Sequence, residues 1–340
     1  MMDHGEETIL ELDRIVKKYR TKAFLFGARG QEIIALNEIS IKVTRGEIFG
    51  LVGESGSGKT TAGRLIVRLE QPGEGKIYLD DHDITTLKGK ASKAYSRRVQ
   101  MIFQDPYQSL NPQLSIFDTI SEPLIIHKIG NTKAKKDTVW QAMKSVGLSP
   151  PHDFAHRYPH QLSGGQRQRV AVARAMVLNP DFVVADEPTS MLDASMSAQI
   201  FNILLEMRKK LNVSFLFITH SFAAARYLCD RIAVIYRGNV VEVGPGDEVI
   251  ENPKHPYTQA LIDALPKFRY SGDKKRYQTL IRAERRVPEH AGCPFFSRCK
   301  RADPIKCSHE KPPLMRLGDS HSVACFYAEP GIKTSSGNNA

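Results

Sequence analysis

Gly53-Glu54-Ser55-Gly56-Ser57-Gly58-Lys59-Thr60 decides the fold of this 340-residue chain. The stretch matches G-x-x-x-x-G-K-[ST], in which glycines let backbone N–H groups wrap a pyrophosphate, a lysine neutralises the outer phosphates, and a hydroxyl reaches magnesium. At glycine frequencies of about 7%, a chance match occurs in on the order of one chain in a hundred of this length, so the context has to carry the reading. That context is favourable. Glu47-Ile-Phe-Gly-Leu-Val52 reads as a buried strand running into the loop, residues 60–69 read as the helix leaving it, and 39–43 alternates like a strand. A second apolar run at 182–185 ends in Asp186-Glu187, and a third at 213–219 ends in His220. Strands that each deliver polar residues at their C-terminal ends predict an α/β fold, with one mostly parallel sheet and the site along that edge.

Leu162-Ser163-Gly164-Gly165-Gln166 stands directly before an apolar-periodic helix at 166–176, which makes it a second anion site at a helix N-terminus. The carboxylates of Asp186 and Glu187 differ in expected role. Asp186 is placed to hold the magnesium shell, and Glu187 to polarise the water that attacks a terminal phosphate. His220 can contact that phosphate or the water. Gln104, after the short apolar strand in Met101-Ile-Phe-Gln104, can reach magnesium or water through its side-chain carbonyl.

The apolar runs are strand-sized, far short of the roughly 20 residues that cross a bilayer. The acidic N-terminus lacks the pattern of a secretory signal, so the chain is expected to stay in the cytoplasm. The formal charge is +11, with basic clusters at 88–98, 128–136 and 267–286. Dispersed in this way, it permits a place beside anionic lipid but does not require a polyanion partner.

Together the motifs resemble the nucleotide-binding subunits of ATP-binding cassette (ABC) transporters, from about Leu10 to the end of the chain. In that family the phosphate loop is Gly53 to Thr60, the Q-loop residue Gln104, and the signature Leu162-Ser163-Gly164-Gly165-Gln166. The Walker B carboxylates are then Asp186-Glu187, the D-loop Ser190-Met191-Leu192-Asp193, and the switch His220. The resemblance implies a P-loop NTPase core at 1–91 and 161–250, with an antiparallel β region and a helical subdomain inserted at 92–160. It implies that ATP is held by Gly53, Ser55, Gly56, Ser57, Gly58, Lys59, Thr60 and Thr61, and Mg2+ by Thr60, Gln104 and Asp186. Catalysis falls to Glu187, His220 and Gln104. The aromatic that stacks on adenine is Tyr19, with Phe24 and Phe26 as alternatives. Ser163, Gly164, Gly165, Gln166 and Asp193 complete the ATP site of a second subunit, because each ATP lies between one subunit's loop and the other's signature. A head-to-tail dimer follows, with itself or a sister subunit. Ala185 before the Walker B aspartate and Met191 in the D-loop depart from common usage without removing a chemical group.

The wording of Arg97 to Pro112 and of His255-Pro-Tyr-Thr258 is similar to the dipeptide and oligopeptide importer branch. That branch implies two transmembrane permease subunits, an extracytoplasmic peptide-binding protein, a peripheral place on the cytoplasmic face of the inner membrane, and no nucleic acid. Nickel or another solute is the alternative cargo, and a non-transport cassette acting on nucleic acid or ribosomes the alternative function.

Cys229 reads as a small core residue. Cys293, Cys299, Cys307 and Cys325, spaced C-x5-C-x7-C-x17-C, belong to a C-terminal extension at 251–330, before a tail at 331–340 expected to be disordered. Disulfides do not suit the cytoplasm, and four thiolates suit zinc or an iron–sulfur cluster. Paired C-x2-4-C knuckles are absent and the gaps are long, so [4Fe-4S] is expected, with Zn2+ as the alternative; the resemblance points the same way. His152, His156 and His160 share helical spacing, but Pro159 interrupts the helix, so no metal face is expected there.

Overall fold

The computed structural model describes residues 7–20, 32–264, 292–318 and 320–328. Phe24, Phe26, the basic cluster 267–286 and the tail 331–340 lie outside the described residues.

Every residue of β3 (Ile48–Val52) is buried, so the strand needs apolar cover on both faces and takes a central place. It pairs in parallel with β8 (Ser214–Thr219) on one side and β9 (Arg231–Tyr236) on the other. Beyond β8 come β7 (Phe182–Asp186) and β6 (Val99–Ile102), also parallel. Beyond β9 the sheet turns antiparallel through β10 (Asn239–Pro245), β12 (Ser322–Val323) and β11 (Met315–Arg316). A separate antiparallel sheet has the order β2 (Glu32–Thr44), β1 (Thr8–Arg20), β4 (Glu74–Leu79), β5 (His82–Asp83). The strand read at 39–43 is thus far longer. Register shifts against β1 break its alternation, leaving Ile33 and Ile34 exposed while Leu36 is buried.

The helix after the phosphate loop, α1 (Lys59–Ile66), is shorter than the 60–69 expected, because Arg68 takes a left-handed φ of 60°. Next come α2 (Gly89–Arg98), α3 (Pro106–Ser109), α4 (Ile116–Ile126), α5 (Thr132–Ser145), α6 (His152–Ala155) and α7 (Gly164–Met176). Ile116 and Ile120 of α4, Val139 and Met143 of α5, and Val170 of α7 share one core. The helix carrying the signature therefore packs with the inserted helices. Within the range read as a helical insertion, the short strand read before Gln104 is β6, which begins earlier, at Val99, and joins the parallel sheet beside β7.

The chain continues through α8 (Ala194–Leu211), α9 (Phe222–Leu228), α10 (Gly246–Glu251), α11 (Pro256–Asp263) and α12 (Lys306–His309). Cys229 is a core residue, its thiol pushed up by burial. A buried pair fastens the cysteine-bearing segment to the sheet: His321 Nε2 lies 2.7 Å from Glu242 Oε1. Glu242 also accepts the N–H groups of Lys254 and His255, at 2.6 and 3.0 Å. Burial alone would push the His321 imidazole down, but Glu242 and Glu248 outweigh it and hold the group above the ordinary histidine value.

Candidate active site

The strands β3, β7 and β8 are neighbours and parallel, so their C-terminal ends open side by side. From β3 the chain enters the loop at Gly53, where a Cβ would run into the carbonyl oxygen of Ile235 on β9. At Gly58, φ is 106° and a Cβ would meet the carbonyl of Ala35 on β2. Only glycine closes the loop against both strands.

Beneath the loop lies Lys59, 4% exposed. Its Nζ donates to the carbonyls of Gly53 and Glu54, both at 2.9 Å. Burial pushes the ammonium pKa down, opposed by Glu187, Asp186 and Glu54. Ser57 Oγ is buried with no hydrogen-bond partner, while Ser55 and Gly56 are exposed. A buried hydroxyl left unpaired costs about 1–3 kcal/mol, which a phosphate oxygen accepting from it would offset.

Thr60 donates from Oγ1 to Asp186 Oδ1 at 3.1 Å, tying the start of α1 to the end of β7. Burial holds the Asp186 carboxyl above the usual carboxylate range. Two oxygens this close in a desolvated corner suit a hard dication.

One residue on, Glu187 has a φ of 43°, a left-handed conformation that costs a residue with a side chain roughly 1–2 kcal/mol. Its N–H donates to Ile218 of β8 at 2.9 Å, which holds the turn. The turn delivers the carboxylate to a crowded place. Oε2 accepts from Gln104 Nε2 at 3.3 Å and lies 3.1 Å from His220 Nδ1, while Oε1 is 4.0 Å from Lys59 Nζ. Lys59, Gln104, Glu187 and His220, from four separate stretches of chain, thus meet in one spot. A carboxylate so held beside a phosphate cradle can take a proton from water.

Tyr19 is anchored beside α1: its hydroxyl donates to Glu70 Oε2 at 2.6 Å, with the Thr61 side chain also in reach. Burial, followed by Glu70, raises its pKa. The signature forms a reciprocal cap on α7, with Gln166 Oε1 accepting Ser163 N–H at 3.0 Å and Ser163 Oγ accepting Gln166 N–H at 3.3 Å. Gly165 lies against Met196 of α8, whose N-cap is Asp193. Among the described hydrogen bonds and ion pairs, none joins Ser163, Gly164, Gly165, Gln166 or Asp193 to this chain's own phosphate loop.

The four C-terminal cysteines come together. Cys293, Cys299, Cys307 and Cys325 line one cavity with His255, Arg301 and a set of mostly apolar groups that includes Phe295. Burial pushes the Cys293 thiol up to about 12 and raises Cys299 and Cys325. Among the described residues, no three His, Cys, Asp or Glu side chains converge as ligands of a single metal ion do, these thiols included.

Two contacts to the phosphate loop escaped the sequence reading. Arg298 grips the Glu54 carboxylate, and the Tyr257 hydroxyl accepts the Glu54 N–H at 3.0 Å. Arg298 lies 244 residues from its partner, and nothing in local pattern marks it.

Residues 36–190 match the family described as ABC transporter, and 241–307 match the C-terminal region of the oligopeptide/dipeptide transporter family, which leaves Cys325 beyond the match. The oligopeptide transport ATP-binding protein AppF of Bacillus subtilis is 40% identical over 324 residues, 94% of this chain and 98% of that protein. The di/tripeptide transport ATP-binding protein DppF of Pseudomonas aeruginosa is 39% identical, over 95% and 98% of the two chains. A dimeric ATP-binding cassette solved in a post-hydrolysis state with ADP and Pi superposes with a TM-score of 0.62 at 29% identity, covering 70% of this chain and 98% of that one.

Proposed function

This chain belongs to the ABC transporter family, in its oligopeptide/dipeptide branch, and from that premise we propose that it binds and hydrolyses ATP to drive peptide uptake through a membrane complex. The observation that carries the reading is the meeting of Lys59, Gln104, Glu187 and His220 around one carboxylate beside the phosphate loop.

Gly53, Ser55, Gly56, Ser57, Gly58, Lys59, Thr60 and Thr61 hold the phosphates, and Tyr19 flanks the adenine. Thr60, Asp186 and Gln104 would hold Mg2+, which when bound draws charge from the terminal phosphates. Glu187 takes the proton of the attacking water, and Gln104 and His220 orient its carboxylate. Ser163, Gly164, Gly165, Gln166 and Asp193 serve the loop of a second subunit in a head-to-tail dimer. In support, Ser163 and Asp193 are exposed, as is the apolar Met191 beside them, at 58%.

Next to Gln104 a cleft of about 300 Å3 opens between the parallel sheet and the inserted helices, lined by Leu69, Phe103, Leu110, Ile126 and Leu178 among others. An apolar helix of a permease subunit fits its chemistry, and Arg167 and Arg174 of α7 reach its approach. The Arg167 guanidinium lies 4.0 Å from the Tyr107 ring centre, and Arg174 donates to the Ser109 carbonyl at 3.3 Å. Motion of the signature helix is thereby felt at the cleft. No helix among the described residues is long and apolar enough to cross a membrane. From its likeness to importer ATP-binding subunits we place the chain peripherally, on the cytoplasmic face, with cargo chosen by the permeases and an extracytoplasmic binding protein.

Proteoliposomes holding this chain, its permease subunits and the binding protein are expected to accumulate labelled di- or oligopeptides only with ATP. Intact ATPase activity without peptide uptake would move the assignment to nickel or another solute.

We further propose that Cys293, Cys299, Cys307 and Cys325 would hold a [4Fe-4S] cluster, which when bound would tie the 293–307 segment to Cys325. What supports the reading is that the four thiols, far apart in sequence, line one cavity, and thiolate sulfur is the ligand such clusters take. Anaerobically purified protein is expected to contain iron and acid-labile sulfide in equal amounts; stoichiometric zinc without sulfide would favour the alternative.

A further inference from the structure

Glu54 is the second residue of the phosphate loop, at a position where the phosphate-binding pattern asks for no particular side chain. Here it is held from outside the nucleotide-binding core. Arg298 donates from both terminal nitrogens to the two Glu54 carboxylate oxygens, at 3.0 and 3.2 Å, a fork-to-fork geometry that fixes direction as well as charge. The backbone N–H of Glu54 is taken by the Tyr257 hydroxyl, and its carbonyl by Lys59, each within 3.0 Å. Every polar group of this loop residue is thus committed, two of them to the C-terminal region.

Arg298 directly precedes Cys299, and its position depends on the packing around the thiols. The N–H groups of Arg298 and Cys299 both donate to the Phe295 carbonyl, at 3.1 and 3.0 Å. Phe295 is fully buried, stands edge-on to Tyr236 with ring centres 5.3 Å apart, and lies 5.5 Å from Tyr257. The same Phe295 lines the cavity that the four cysteines share. A continuous set of contacts therefore runs from the thiol cavity through Phe295 and Arg298 to Glu54 and Lys59.

We propose that Arg298 and Tyr257 are positioning residues of the phosphate loop, and that through them the state of the four-cysteine module sets how tightly the loop takes ATP. This rests on the loop being an ATP site. Neither residue touches the nucleotide; each shapes the loop that does.

The test is titration of the full-length protein with MgATP, with thermal melting alongside. Arg298→Ala is expected to weaken MgATP about tenfold, the size of a lost charge-assisted hydrogen bond. In a Glu54→Ala background the same change is expected to do nothing further, and equal losses in both backgrounds would overturn the proposal. Glu54→Gln is the more searching variant and serves also if Arg298→Ala does not fold. It removes a negative charge from an anion site, so electrostatics alone makes ATP bind tighter, whereas lost positioning makes it bind more weakly. Tighter or unchanged binding sinks the idea. Cys299→Ser is expected to weaken MgATP in the wild type and not in Arg298→Ala; an undiminished effect there would cut the module out of the path. Lys59→Ala separates the two readings. If it leaves ATP affinity intact, the ATP site itself is wrong, whereas a defective Lys59→Ala beside a normal Arg298→Ala defeats only this proposal.

Discussion

Glu187→Gln protein is expected to bind MgATP as the wild type does and to turn it over about 10²- to 10⁴-fold more slowly, the range of a lost general base. The substitution leaves the frame of the site intact. The left-handed turn at Glu187 is held by its backbone N–H to Ile218, which glutamine keeps at the same conformational cost. A glutamine carbonyl in the place of Oε2 can still accept from Gln104 and face His220, with the amide nitrogen in the place of Oε1. What disappears is the basic oxygen that takes the proton, together with the charge 4.0 Å from Lys59. Phosphate release under saturating MgATP measures the loss, and equilibrium binding supplies the control. Near-normal turnover would remove Glu187 from the role of base and leave the meeting of Gln104 and His220 around it without a chemical purpose.

Lys59→Ala is expected to act earlier, weakening MgATP about 100-fold or more, since two hydrogen bonds from a charged donor are lost together. Lys59 supports the loop as well as facing the phosphates. Without the ammonium, the Gly53 carbonyl loses its donor and the Glu54 carbonyl keeps only the Ser57 N–H, at 3.2 Å, so the curl of the loop is less firmly held. Asp186 and Glu187 would then stand beside a polyphosphate without the buried cation that offsets them. Arginine should not rescue the site, because a planar guanidinium is bulkier than an ammonium and the position is 4% exposed. Calorimetric titration with MgATP checks both variants, and wild-type affinity in Lys59→Ala would overturn the assignment of the loop.

Legibility in the sequence followed the range of the interaction. The phosphate loop, β3, and the polar residues closing β7 and β8 were all readable, because a run of apolar residues ending in a charged one describes a buried strand and its exit within a few positions. The end of α1 was misplaced because a left-handed Arg68 carries no residue-type signal, unlike glycine. β6 was read only from Met101 onward, because Val99 and Gln100 follow directly on the end of α2 with no turn residue to mark the boundary. The signature was recognised as a helix start from the apolar-periodic run at 166–176; the reciprocal Ser163–Gln166 cap places that start two residues earlier, at Gly164.

The sequence by itself determined that this chain makes a phosphate cradle, a buried strand to carry it, and a second helix N-terminus able to meet an anion. These are contiguous devices, specified by the backbone freedom of glycine and the spacing of a few neighbouring side chains. Only the tertiary structure decided that Gln104 and His220 share the Glu187 carboxylate, that four cysteines line one cavity, and that Arg298 holds Glu54 across 244 residues of chain. Such pairs arise where packed layers bring distant segments together. Hydrophobic period states which face of an element is buried, and it is silent about which distant side chain will lie opposite.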